Sequence, residues 1–310
     1  MKLTNPIAIL GATSQLAKDY IKHAHTFFSH DFILYARALD KVSMFQEKHQ
    51  LRYPALYLDK FGQEKYSAII NFIGIGDPAK AKIMGADIFD ATLHTDLKVL
   101  QYLKINPETI YIFISSGAVY GTDYLTPVTE NSYASIPINN LSSQNYYSIA
   151  KLYAEARHRA LPDYTIFDIR IFNYISRSLD LNSRFFITDI INAIRNKQVF
   201  ETDDQAILRD FMHPTDFCRL VQSCLNSKAR LNMALDAYSK SPIDKTTLLN
   251  VLREKFGLNY KIVRNAELVN ATGRKPYYYS KMRSADKIGY MPAYDSLSAI
   301  LEEIQAILVD

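Results

Sequence analysis

The chain has no tryptophan, only two cysteines, and 10 glycines among 310 residues. Two cysteines, Cys218 and Cys224, exclude a disulfide framework or a cysteine metal site and read as reduced thiols near or in a core helix. Long apolar runs are missing: nothing approaches the roughly 20 residues a membrane span needs. The apolar stretch after Met1-Lys-Leu-Thr-Asn-Pro6 is too short for a secretory signal and stops at a glycine, so a cytoplasmic location is the expectation. A large excess of one charge is also absent, with 36 Lys+Arg against 32 Asp+Glu and a net charge of +4. No basic stripe interleaves with aromatics, which excludes nucleic acid as an expected partner. No cluster of metal-ligand residues stands out, so no metal is expected.

What is present is ordinary globular composition, 48% hydrophobic and 22% charged, with 22 tyrosines. Short apolar runs alternate with helical patterns through the first half. Strands are expected at Pro6–Leu10, Phe32–Ala36, Leu56–Leu58, Ala68–Ile73, Ile110–Ser115 and Thr165–Ile171. Helices are expected over Ala12–Phe28, Leu39–His49, Asp87–Leu103 and Ser142–Ala160. This alternation predicts an α/β fold, a doubly wound parallel sheet of Rossmann type with helices on both faces. Ala68-Ile-Ile-Asn-Phe-Ile73 and Ile110-Tyr-Ile-Phe-Ile114 are near-continuously apolar, as strands buried on both sides are. The second half is less regular. Its helices near Ile187–Arg195, Asp216–Ser227, Lys245–Phe256 and Ser296–Leu308 are expected to form a smaller lobe over the carboxyl edge of the sheet. The expected division is a dinucleotide domain over 1–173, completed by parts of 207–237, and a substrate lobe mainly over 174–310.

Two short motifs carry chemistry. Ile7-Ala-Ile-Leu-Gly11-Ala-Thr-Ser14-Gln-Leu-Ala17 runs from a strand through a glycine turn into a helix, whose amides suit a pyrophosphate. By itself it reads equally as a plain strand–turn–helix. Ser14 stands where a second glycine is usual, and its side chain could crowd a phosphate. Arg37, at the end of the second strand, suits a 2′-phosphate and so NADP over NAD, or is a solvated arginine. Asp59, closing the third strand, suits an adenine amino group or a turn. Tyr147-Ser-Ile-Ala-Lys151 puts a phenol and an ammonium one helical turn apart on the same face. A nearby cation favours the phenolate and lowers the phenol pKa, so Tyr147 could shuttle a proton. Ser115-Ser116-Gly117 follows the fifth strand, where a serine can hydrogen-bond a carbonyl oxygen at the sheet edge.

Taken in order, these segments resemble the extended short-chain dehydrogenases/reductases, the superfamily of nucleotide-sugar epimerases, dehydratases and ketoreductases. Arg170-Ile-Phe-Asn173, Arg209-Asp-Phe-Met-His213-Pro-Thr-Asp216, Thr129-Glu130 and Ser284-Ala-Asp-Lys-Ile-Gly-Tyr-Met-Pro292 resemble further family segments. The resemblance implies a catalytic set of Ser116, Tyr147 and Lys151, with Tyr147 as acid/base. It implies a cofactor, NADP with NAD as the alternative, held by Gly11, Thr13, Ser14, Gln15, Leu16, Arg37, Asp59, Tyr147 and Lys151. It implies a nucleotide-sugar substrate contacted by Ser116 and Asn173 and clamped at its diphosphate by Arg209 and Arg274. It also implies a homodimer built on the helices over Asp87–Leu103 and Ser142–Ala160.

Departures from the family narrow the reaction. Dehydratases place an Asp-Glu pair after the catalytic residue, where Gly117 and Ala118 stand here; neither transfers a proton. GDP-fucose synthases carry a cysteine at the place of Ala118. Two reactions remain: reduction of a nucleotide-linked 4-keto-6-deoxy sugar for surface polysaccharide, and 4-epimerisation with bound NAD. A non-catalytic, cofactor-binding regulatory protein is the alternative from another class.

Overall fold

A computed structural model describes residues 3–74, 83–121, 124–263 and 275–309, the side chains of Ser143 and Gln144 excepted. Seven strands form one parallel sheet: β1 Ile7–Leu10, β2 Phe32–Ala36, β3 Ala55–Tyr57, β4 Ala68–Asn71, β5 Ile110–Ser116, β6 Ile166–Ile171 and β7 Asn232–Asp236. Their order across the sheet is β7-β6-β5-β4-β1-β2-β3. All four residues of β1 and of β4 are buried, as both faces of the sheet are covered. β1 pairs with β2 on one side and β4 on the other, so the chain reverses direction there. In doubly wound sheets a ligand crevice opens at that point, beyond the carboxyl ends of the strands.

Helix α1 covers Gln15–Phe27, α2 Leu39–Lys48, α3 Asp87–Ile105 and α4 Ser143–Arg159. Further along are α5 Phe186–Arg195, α6 Pro214–Leu225, α7 Lys245–Phe256 and α8 Ser296–Val309. Helix α1 starts three residues later than Ala12 because Ser14 caps it, its Oγ accepting from the Ala17 amide at 3.2 Å. Ala17, Tyr20, Ile21 and Ala24 form its buried stripe.

One helix expected in the smaller lobe falls within the 207–237 stretch expected to complete the dinucleotide domain. Helix α6 lies beneath the sheet rather than over its edge, because Phe217, Cys218, Leu220, Val221 and Cys224 join the core shared with α1. Burial pushes the Cys218 thiol up to about 12, which keeps it protonated and inert. The lobe itself has a separate core made largely by α5, α7 and α8. Short strands tie it to the sheet edge. Phe211–Met212 pairs in parallel with Asn173–Tyr174, while Leu208–Arg209 pairs with both Ile243–Asp244 and Tyr277–Tyr278. No helix among the described residues is long and apolar enough to cross a membrane.

Candidate active site

A cavity of about 400 Å³ opens at the crevice, lined by Gly11, Thr13, Ser14, Arg37, Gly74 and neighbours. Gly11 has φ +80°, and a Cβ there would lie 2.9 Å from Ile73 Cγ1 and 3.2 Å from the Ile73 amide nitrogen. Only glycine makes this turn without pushing the end of β4 into the cavity. The Ser14 side chain is turned back to cap α1, which answers the expectation of crowding. A pyrophosphate therefore fits the helix start, with Gly11, Thr13 and Ser14 as its cradle. Gln15 and Leu16 point elsewhere: Gln15 Nε2 donates to Ser176 Oγ at 2.9 Å, and Leu16 packs on the core. Arg37 lines the cavity and is exposed. Asp59 takes the turn alternative, not the adenine one. It sits in a 3-10 turn, Leu58–Lys60, after β3, and is exposed, while Leu58 lines the cavity in its place.

Strand β5 ends in Ser116, which starts the 3-10 turn Gly117–Tyr120; its Oγ accepts from the Ala118 amide at 3.1 Å. Tyr147, on α4, has its phenol beside the Ser116 hydroxyl. Burial pushes the Tyr147 phenol well up, and the Ser116 hydroxyl draws it partly back. This corrects the expectation that Lys151 lowers it. The Lys151 ammonium instead donates to the Ile114 carbonyl at 2.8 Å and lies 4.2 Å from the centre of the Phe113 ring. Tyr147 is thus a phenol at neutral pH, able to give a proton. Burial pulls Lys151 down to about 8, against the pull of Asp96, Glu155 and Asp168. Gly74 makes room for this lysine, since a Cβ there would be 2.8 Å from Lys151 Nζ.

A buried polar network, not apparent in the sequence, stands behind these groups. The Lys151 face of α4 also carries Glu155 and His158, all buried. Glu155 accepts from Ser115 Oγ at 2.6 Å and from Arg170 Nε at 3.0 Å. Arg170 Nη1 in turn donates to Tyr120 Oη at 2.6 Å. His158 Nδ1 lies 2.7 Å from Asp168 and Nε2 2.8 Å from Asp96. Arg157 and Arg159 also reach these two carboxylates. The Lys151, Glu155 and His158 spacing of four and three residues was the signal available for finding this face.

On the lobe side, Arg209 is buried and donates to the Leu208 and Pro276 carbonyls at 3.0 and 3.2 Å. Asn173 Nδ2 donates to the Asp210 and Tyr278 carbonyls at 3.1 and 3.2 Å, so its amide nitrogen is spent on backbone. Arg274 lies outside the described residues. The segment after it supplies groups the sequence reading did not assign. Tyr278 is the register partner of Arg209, and its Oη is 3.5 Å from Ser116 Oγ. Lys275 Nζ sits 4.5 Å from the centre of the Tyr278 ring and 5.2 Å from that of Tyr124.

His213, Glu302 and Glu303 form a cluster of metal-ligand residue types. The chemistry there favours an ion-pair network. His213 Nδ1 accepts from the Thr215 amide at 3.1 Å, which leaves the proton on Nε2, facing Glu303 at 3.3 Å. Arg177 also pairs with Glu303.

A cleft at the carboxyl edge of the sheet beside a hydroxyl, a phenol and an ammonium is the arrangement of the extended short-chain dehydrogenases/reductases. More specifically, the model of the NAD dependent epimerase/dehydratase family matches residues 7–234, and the chain belongs to that family of enzymes. No curated protein matches the chain in sequence. Among solved structures, it is similar to a UDP-glucose 4-epimerase from Stenotrophomonas maltophila with bound NAD, at 14% identity and TM-score 0.78, over 98% of each chain. It is also similar to a UDP-glucuronic acid 4-epimerase from Bacillus cereus in complex with NAD, at 15% identity and TM-score 0.77, over 97% of this chain and 98% of that one. A dTDP-glucose 4,6-dehydratase from Bacillus anthracis in complex with NAD gives 14% identity and TM-score 0.75, over 97% and 96%. At these identities the likeness is one of fold.

Proposed function

We propose that this protein uses NADPH to reduce the C4 ketone of a nucleotide-linked 4-keto-6-deoxy sugar, in the cytoplasm, for surface polysaccharide. The observation carrying this reading is the composition of the catalytic loop. Ser116 and Tyr147 stand side by side, and Gly117 and Ala118 follow without a proton-transfer group between them. That set can move one proton to or from one oxygen, which suits ketone reduction and does not suit loss of water. NADP is supported by Arg37 at the rim of the cavity.

When bound, the nicotinamide supplies the hydride. Gly11, Thr13 and Ser14 would hold its pyrophosphate, Arg37 its 2′-phosphate and Lys151 its nicotinamide ribose. Tyr147 gives its proton to the C4 oxygen as the carbon is reduced. Ser116 donates a hydrogen bond to the same oxygen and steadies its developing charge. Arg209 binds the diphosphate of the substrate. A second reading, a 4-epimerase with tightly held NAD, is favoured by the two NAD-bound 4-epimerases among the similar structures. The same three residues would then move the proton in both directions.

Absorbance at the reduced nicotinamide band, with NADPH and with NADH and a panel of nucleotide-linked 4-keto-6-deoxy sugars, separates the two. Stoichiometric oxidation is expected with one sugar, and a Tyr147→Phe variant should lose roughly 10²- to 10⁴-fold in kcat. Full turnover in that variant sinks the mechanism. Interconversion of 4-epimers with no net NADPH use would select the epimerase.

A further inference from the structure

Lys151 is a buried cation, 2% exposed, without a counterion in contact. Among the described residues, Asp96, Glu155 and Asp168 favour its charge across space, and none of them bonds to it. An ammonium has three donors to place. One goes to the Ile114 carbonyl at 2.8 Å. A second side is covered by the Phe113 ring, whose centre is 4.2 Å from Nζ. On a third side lies Gly74, which has no side chain to block the ammonium from the cavity it lines. The strand sets this up. Residues of β5 alternate in direction, so Ile112 and Ile114 join the core shared with α1 and α6, while Tyr111 and Phe113 join the one shared with α3 and α4. Helix α4 thereby brings Lys151 onto an aromatic face. Such a face attracts a cation, more strongly once water is excluded. It carries no net charge, so it offsets the lost hydration only in part, and burial still pulls Lys151 down to about 8.

We infer that Phe113 is a positioning residue: its ring, in place of a counterion, keeps the Lys151 ammonium charged and aimed at the cofactor ribose. This rests on the reading of Lys151 given above and adds to it the partner on which its charge depends. Cofactor binding should then weaken as pH rises and Lys151 loses its proton, at a midpoint set by the ring. The other charged groups around the pair are Asp96 from α3, Glu155 and His158 from α4, and Asp168 from β6. The arginines Arg157, Arg159 and Arg170 balance the three carboxylates. His158 lies edge-on to Phe113 with ring centres 5.3 Å apart, so its own titration has to be separated from that of Lys151.

The test replaces Phe113 by phenylalanine bearing one, two or three ring fluorines, which drain the negative face of the ring and nearly keep its shape. Urea unfolding reads the pair directly. At pH 6, with Lys151 charged, the trifluoro protein should unfold with an equilibrium constant about 10-fold above wild type, the other two falling between. At pH 10, with Lys151 neutral in the folded protein, the difference should vanish. In a Lys151→Met background it should be absent at both, which separates Lys151 from His158. NADPH affinity, by fluorescence titration from pH 6 to 10, should fall along a limb whose midpoint is about one pH unit lower in the trifluoro protein. A loss of stability that is equal at pH 6 and pH 10, or that survives in Lys151→Met, overturns the role of Phe113 and makes the ring simple packing. An unfolding effect with an unmoved binding midpoint overturns its link to the cofactor. A wild-type protein that binds neither NADPH nor NADH overturns the cofactor reading, while the unfolding series still decides whether Phe113 holds the ammonium.

Discussion

His158 offers the most quantitative test of the buried network. Its ring is fully buried between Asp96 and Asp168, at 2.8 and 2.7 Å. Burial alone would lower its pKa, but the two carboxylates win and hold it at about 9, against an ordinary 6.5. A raised pKa means the folded protein keeps a proton that the unfolded chain releases. The stabilisation is fully present below about 6.5 and is lost as pH rises through about 9. At about 1.4 kcal/mol per pH unit, the effect is ~3 kcal/mol. Lys151 and Lys275 act in the opposite sense. Each is lowered to about 8 from 10.5, so each adds stability as pH rises across that interval. The pH slope of the wild-type protein therefore mixes both effects, and the useful quantity is its difference from His158→Gln. Urea unfolding from pH 6 to 10 should show that difference shrinking by ~3 kcal/mol as pH rises. A difference that stays constant to within ~1 kcal/mol across the range would show that His158 is not held as a cation, and the account of this network would fail.

Two further outcomes are expected. Arg37→Ser should weaken NADPH binding by roughly 10-fold or more and leave NADH nearly unchanged, measured by fluorescence titration; equal losses for both would deny Arg37 its 2′-phosphate role. The homodimer we propose would use the outer faces of α3 and α4, where Leu97 and Tyr153 are 44% and 51% exposed. Light scattering should then give twice the chain mass, and Leu97→Glu with Tyr153→Lys should halve it; a monomeric wild-type protein removes the proposal.

Six of the seven sheet strands were legible as apolar runs; the seventh, Asn232–Asp236, starts and ends on polar residues and was not assigned. Phe32–Ala36 begins and ends where the pattern says, and Lys245–Phe256 is likewise matched at both ends. Helix starts were less so: at Gln15 the deciding factor is a side-chain cap, not hydrophobic period. Ser116 and Tyr147 are brought together as their motifs imply. The Lys275–Tyr278 contribution was not legible. A two-residue strand has no periodicity, and only its pairing with Leu208–Arg209 brings it to the site. Glu155 and His158 escaped for another reason. A charge on a helix reads as solvated until the partner that balances it is known, and Arg170, Asp96 and Asp168 come from other elements.

The close approach of Lys151 to Gly74 ties together two positions far apart in the chain. Any side chain at position 74 would occupy the volume of the lysine head, 2.8 Å from where a Cβ would begin. The two sites should therefore drift jointly among descendants of this sequence. A lineage that shortened Lys151 would be released to enlarge residue 74, and one that enlarged residue 74 first would have evicted its ammonium. Such paired replacement would mark, from sequences alone, the branches that had lost the buried ammonium.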